Sequence, residues 1–145
     1  MMIIKEHFFY LYLISHFKRL KMIQPGTQMF VSDNSGARKV ECIRILGRTG
    51  RSPGSVGDIA VVSVKELRKK GNIKVKKKEV CLALILRVSK SKSRIDGRQL
   101  FFDKNTCVLL NLKRALYGTR IFGPIMKEFR AQSQFKLLAL SSSHF

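Results

Sequence analysis

The sequence predicts a mostly β protein: a small closed barrel of five or six short strands, followed by a C-terminal loop with short helices and preceded by an amphipathic helical extension. Three observations carry this reading. Short runs rich in Val, Ile and Leu recur between clusters of Gly, Asp, Asn and Ser, the pattern of strands bounded by turns. Helical spacing is confined to the two ends of the chain. Hydrophobic residues make up 45% of the 145, enough for one domain with a real core and too little chain for two. Closing such strands into a barrel buries their apolar faces and leaves few free edges.

Residues 1–21, MMIIKEHFFYLYLISHFKRLK, form the extension. Its apolar stretch Phe8–Ile14 is far shorter than the ~18–20 residues that span a bilayer. Phe8, Leu11, Tyr12 and Ser15 share one helical face that Lys18, Arg19 and Lys21 close, so the spacing predicts an amphipathic helix. An organelle presequence, a membrane-surface helix and a segment that docks on a partner all fit this pattern. A retained Met1 favours docking.

The single barrel domain is expected over 22–145. TQMFV is its first apolar piece, and SDNSG then supplies a tight turn in which Gly36 takes a positive φ and Asp33 or Asn34 bonds back to the backbone. That turn aims ARKVECI so that Arg38 and Lys39 emerge while Val40 and Cys42 enter the barrel. The apolar phase slips to Ile43 and Ile45, which predicts a bulge or a strand buried on both faces. GDIAVVSVKEL places Ala60, Val62 and Val64 on one face and Ile59 and Val61 on the other. EVCLALILRV places Val80, Leu82, Leu84, Leu86 and Val88 on one face, and QLFFD and TCVLLN complete the strands. From about residue 112 the pattern changes. YGTRIFGPIM reads as an apolar loop turned by Gly118, Gly123 and Pro124, and KEFRAQSQFKLLALSS as one or two short helices packed through Phe129, Phe135, Leu137 and Leu138.

The charge balance narrows function. There are 29 Lys and Arg against 9 Asp and Glu, a formal net charge of +20. A folded domain so unbalanced repels itself, and the usual compensation is a polyanion, nucleic acid before an anionic membrane. Catalytic patterns are thin. The histidines, His7, His16 and His144, lie near the ends, and the acids are scattered with no two adjacent. Cys42, Cys81 and Cys107 sit in apolar runs, far apart and without a CxxC pair, so they read as small buried hydrophobes rather than a zinc or disulfide framework. Neither a metal nor a cofactor is expected.

Two clusters concentrate the charge. KELRKKGNIKVKKKE holds Lys65, Arg68, Lys69, Lys70, Lys74, Lys76, Lys77 and Lys78 on either side of Gly71-Asn72, which reads as a turn between hairpin arms. RVSKSKSRIDGR holds Arg87, Lys90, Lys92, Arg94 and Arg98 around the turn at Asp96-Gly97. Loops of this kind on a rigid scaffold can neutralise phosphates on several strands at once, which gives affinity without reading sequence. Phe101 and Phe102 point to opposite faces, so at most one offers a stacking platform. Both are expected in the core, which favours recognition of folded RNA by shape and backbone.

SDNSGARKVECIRILG, VGDIAVVSVKE, ALILRVSKSKSRIDGRQLFFDKNTCVLLN and GTRIFGPI together resemble the universal large-subunit ribosomal protein L-fourteen family. Its long central signature is filled at Ala83, Leu84, Ile85, Leu86, Asp96, Gly97, Phe102, Asn105, Val108 and Leu109. The resemblance covers about residues 22–140. It implies a five-stranded barrel with a C-terminal loop and small helices, no catalysis, and a structural role in the large subunit at the subunit interface. It further implies binding to large-subunit rRNA, contact with neighbouring ribosomal proteins of the L-three and L-nineteen types, and bridging to small-subunit rRNA. Some relatives also bind a ribosome silencing factor; no small-molecule substrate is implied. Asn34, Ser35, Arg38, Lys39, Arg44, Arg48, Arg51, Lys104, Arg120, Lys127 and Arg130 join the two clusters as candidate rRNA contacts. The chain departs from the family at Lys77-Lys78-Glu79, where Lys-Gly-Asp is usual, and at LKRALY before GTRIFGP. With the extension, these departures fit a mitochondrial ribosome, with a plastid or a bacterial cytoplasm as alternatives. Two other functions are alternatives: a free-standing barrel that binds single-stranded RNA, as a translation factor does, and an RNA-modifying domain, which the lack of an interior histidine or acid pair opposes.

Overall fold

The computed structural model describes residues 22–49, 52–69, 71, 73–94, 96–130 and 135–144. The helix expected over residues 1–21 lies outside them, as do Arg51, Lys70 and Asn72. Five strands close the barrel: β1 (Gln28–Val31), β2 (Ala37–Ile45), β3 (Ile59–Leu67), β4 (Val80–Arg87) and, after a small hairpin, β7 (Thr106–Leu110). Sequential neighbours pair antiparallel, and β1 lies parallel to β7 to complete the ring. The hairpin is β5 (Lys92–Ser93) and β6 (Gln99–Leu100), joined through the expected turn at Asp96-Gly97. QLFFD therefore yields a strand of only two residues, with Phe102 packed on the core and Phe101 61% exposed.

Alternation fills the interior. Met29 and Val31 point inward from β1, and Val40 and Cys42 from β2. The phase slip in β2 is a bulge between Cys42 and Arg44 in the pairing with β3. The extra residue, Ile43, is left outside, and Ile45 returns to the core. Ala60, Val62 and Val64 fill the β3 row as expected.

β4 departs from the expected faces. Val80 is exposed and Leu82 only half-buried, while Cys81, Ala83 and Ile85 are buried. Leu84, Leu86 and Val88 are buried as well, and so is every residue of β7. One hydrophobic cluster joins these strands to Ile121, Ile125, Met126, Phe129 and Leu137 of the C-terminal segment. A sheet wall covered on both sides loses the period of two by which strand faces are read.

That C-terminal segment is more ordered than a loop. Ile121–Ile125 is a strand, β8, paired in parallel with β9 (Ser141–His144), with the 3-10 turn Lys127–Arg130 and helix α1 (Phe135–Leu140) between them. Pro124 sits within β8. Two-stranded sheets tolerate proline because one strand edge needs no ladder donor.

The basic segment after β3 also departs from a hairpin. Residues 73–79 form no strand. They fold back so that the Lys74 amide donates to the Ser35 carbonyl (2.9 Å), the Arg68 amide to the Gly36 carbonyl (2.8 Å), and Val75 enters the core. The segment ends in a turn held by the Lys76 amide on Glu79 Oε2 (2.6 Å) and the Lys78 amide on the Val64 carbonyl (2.8 Å). Lys78 there has φ +66°. A lysine thus occupies a left-handed position that favours glycine. A non-glycine residue in this region costs roughly 1–2 kcal/mol, partly offset because glycine is freer in the unfolded chain. Lys78→Gly should therefore raise stability by about 0.5–1 kcal/mol, read as a higher urea midpoint with an unchanged m-value.

Candidate nucleic-acid interface

The turn between β1 and β2 is the hub of the site. Asp33 is fully buried. Its Oδ1 accepts from the Ser35 amide (2.8 Å) and hydroxyl, and its Oδ2 accepts from the Leu109 amide on β7 (2.9 Å). The last ladder bond between β1 and β7 runs from the Ser32 amide to the Cys107 carbonyl (3.0 Å). One step later the chain turns away, and the Asp33 carboxylate takes the place of a strand partner for Leu109. Asn34 fastens the other side. Its Oδ1 accepts from the Thr119 amide (2.8 Å) and the Arg120 amide (3.3 Å), and its Nδ2 donates to Thr119 Oγ1 (2.9 Å).

Two glycines make these approaches possible. Gly36 has φ +96°, and a Cβ on it would fall 2.8 Å from the Ile73 Cα. Gly118 has no left-handed backbone; its role is contact, since a Cβ there would meet Asp33 Cβ and Asn34 Oδ1 at 2.8 Å. Asn34 and Ser35, candidate RNA contacts by sequence, therefore have internal partners. With Asp33, they bind together the turn, β7, the 73–79 segment and the 118–120 loop.

From this hub the cations radiate. Arg38, Lys65, Arg68, Lys69 and Lys77 line one open groove of about 720 Å³, with Glu66 its single acid. Arg68 is braced from behind by donating to the Asp33 carbonyl (3.2 Å), and its guanidinium lies 5.5 Å from the centre of the Phe122 ring. Lys65 pairs with Glu41 (3.1 Å) and Lys39 with Glu66 (3.0 Å). Exposed pairs like these are worth little and can be exchanged for phosphates. Arg38, Lys69 and Lys77 have no ion pair among the described residues, so the groove keeps a strong positive field.

Elsewhere the candidates divide. Lys76, Lys78, Arg44, Lys92, Arg120, Lys127 and Arg130 are exposed, and Lys74 donates from Nζ to the Tyr117 carbonyl (2.9 Å). Arg48 is held by Asp58 (2.8 Å) and Arg98 by Asp96 (3.4 Å). Lys90 Nζ lies 3.7 Å from Met22 Sδ. Arg94 ties the β5–β6 hairpin to the 3-10 turn through Glu128 (2.7 Å), and its hydrogen bond holds the Glu128 carboxyl below the ordinary carboxylate value. Arg87 turns inward: its guanidinium donates to the Phe122 carbonyl and fills the space beside Gly123, and burial lowers its pKa. Arg87 is thus a brace beneath β8. Lys113 and Arg114, within LKRALY, are also exposed and add two cations that the two basic clusters do not include.

The chemistry of the interior is inert. Burial raises the thiol pKa of all three cysteines, to about 11 for Cys81, so none offers a thiolate. Among the described residues no group of His, Cys, Asp and Glu could hold a metal ion, and no helix is long and apolar enough to cross a membrane.

A comparison with protein-family models matches residues 22–145 to the family described as ribosomal protein L14p/L23e. The chain belongs to that family. The match begins where the extension ends and takes in the barrel, the β5–β6 hairpin and β8–β9. L14p/L23e proteins are structural components of the large ribosomal subunit, acting in translation and not as enzymes. Within this L14p/L23e chain the signature residues are mostly the ones that hold the scaffold. Asn105 Oδ1 accepts from the Ser89 amide (2.8 Å), Asp96 Oδ1 from the Arg98 amide (3.1 Å), and the Leu109 amide donates to Asp33 (2.9 Å).

Proposed function

We propose that this L14p/L23e chain binds large-subunit rRNA through the groove of Arg38, Lys65, Arg68, Lys69 and Lys77, and that it supports the bridge to small-subunit rRNA at the subunit interface. The observation that carries the reading is the groove itself: five cations against one acid, on a chain of net charge +20. Fixed on strand ends and a braced loop, these groups can meet several phosphates without reordering. The cations of the 68–78 segment, the β5–β6 hairpin and the cations at Arg120, Lys127 and Arg130 extend the contact. L-three and L-nineteen types are the expected protein neighbours, with a ribosome silencing factor as a further partner.

The ribosome in question is mitochondrial, a reading supported by the extension over residues 1–21 and by the departures at Lys77-Lys78-Glu79 and LKRALY. In a gentle mitochondrial lysate the protein should co-sediment with large subunits and remain with them through moderate salt. Sedimentation free of ribosomes would overturn the reading, and would favour a free-standing RNA-binding barrel in its place.

A further inference from the structure

Phe30, on β1, is an exposed aromatic ring bracketed by two lysines. Met29 and Val31 point into the barrel, so the Phe30 ring lies on the outer wall, 37% exposed. Register sets its neighbours: Lys39 across β2 and Thr106 across β7. Two ammonium groups bracket the ring, Lys39 Nζ at 5.9 Å and Lys104 Nζ at 5.3 Å from its centre. Lys104 is exposed and has no ion pair among the described residues. Thr106, its register partner on β7, is buried, and its hydroxyl has no hydrogen-bond partner among the described residues.

This row is continuous with the basic groove. Lys39 pairs with Glu66, and Glu66 is the acid of the groove wall. A strand whose phosphates follow Arg38 and Lys65 would therefore carry its next nucleotide toward the ring. An exposed ring flanked by cations is the pattern of a stacking platform, because a base takes the ring face while the flanking charges take the phosphates. A cationic protein partner would be repelled by the same lysines.

We propose that Phe30 stacks one unpaired base of the bound RNA, while Lys104 swings off the ring to a flanking phosphate and Lys39 is shared between Glu66 and the backbone. The proposal rests on the rRNA-binding reading and adds to it a site for an extruded nucleotide. It also moves the stacking surface from Phe101 and Phe102, where the sequence directs attention, to a residue of the first strand.

The test uses the full chain and a short RNA hairpin with 2-aminopurine in its unpaired loop, alongside the same RNA fully paired as a duplex. The wild type should quench the loop fluorophore on binding. Phe30→Ala should lose the quenching and bind the hairpin about 5–150-fold more weakly, with an unchanged salt slope. Phe30→Tyr should keep both properties. Lys104→Ala should show the opposite signature, with quenching retained and a salt slope lower by about 1. Because the ring lies outside the barrel, an unchanged thermal transition certifies that Phe30→Ala is folded. If folded Phe30→Ala binds and quenches like the wild type, the platform is wrong while RNA binding stands. If the wild type binds neither hairpin nor duplex, the rRNA reading fails and takes this proposal with it. Tight binding of an acidic peptide that Phe30→Ala abolishes, with no effect of the same change on RNA, would assign the ring to a protein partner instead.

Discussion

Asp33→Ala is expected to destabilise the fold by about 3–5 kcal/mol, a large part of the roughly 5–15 kcal/mol available to a domain. The substitution strips the acceptor from two backbone amides, Ser35 and Leu109, and from the Ser35 hydroxyl. Ser35 and Leu109 are fully buried, so water cannot replace the carboxylate without opening the barrel. Hydrogen bonds to a charged acceptor contribute about 1.5–3 kcal/mol each, and an orphaned buried donor carries a penalty of similar size. Asp33→Asn should fall between wild type and alanine, because the amide keeps one carbonyl acceptor and turns an NH₂ group toward the other donor. Urea midpoints at constant m-value measure both changes. A loss below about 1 kcal/mol for alanine would mean that the β1–β7 seam holds without its carboxylate.

Neutralising the groove should leave the fold and remove the binding. Arg38, Lys69 and Lys77 are exposed and have no ion pair among the described residues, so replacing all three by alanine disturbs no internal contact described above. If each meets one phosphate, the slope of log affinity against log salt should fall by about 2–3. At 0.1 M salt that corresponds to binding weaker by about 100–500-fold. Titrations of an RNA hairpin across a salt series give the slope directly. A triple variant with the wild-type slope would place the phosphates elsewhere, on the β5–β6 hairpin or the C-terminal cations.

Much of this architecture is legible in the chain because it is local. The bulge in β2 is written in the slip from Cys42 to Ile45, and the turn at residues 32–36 in its run of small polar residues. What escapes has a long-range cause. The faces of β4 are hidden because both of its rows are apolar and buried: Cys81 and Ala83 share the row of Val62 and Ala60, while Leu84 and Leu86 are buried on the other side. β8 reads as a loop because its partner, β9, follows only after a 3-10 turn and a helix, and because Gly123 and Pro124 mimic punctuation. Arg87 counts as a surface cation until β8 is laid across it. Phe30 passes as one more apolar residue in TQMFV, although strict alternation around Met29 and Val31 already puts it outside.

The parallel seam between β1 and β7 carries a kinetic consequence. The first and last strands of the barrel meet across more than 70 residues, as in the 76-residue separation between Asp33 and Leu109. Barrel closure must therefore overcome nearly the whole loop entropy of the domain in a single step, which places folding among the slow, high-contact-order topologies of milliseconds to seconds. A chain still emerging from the machine that makes it cannot close until β7 is released. Until then the groove of residues 38–77 sits on an open sheet, without the closed barrel behind it.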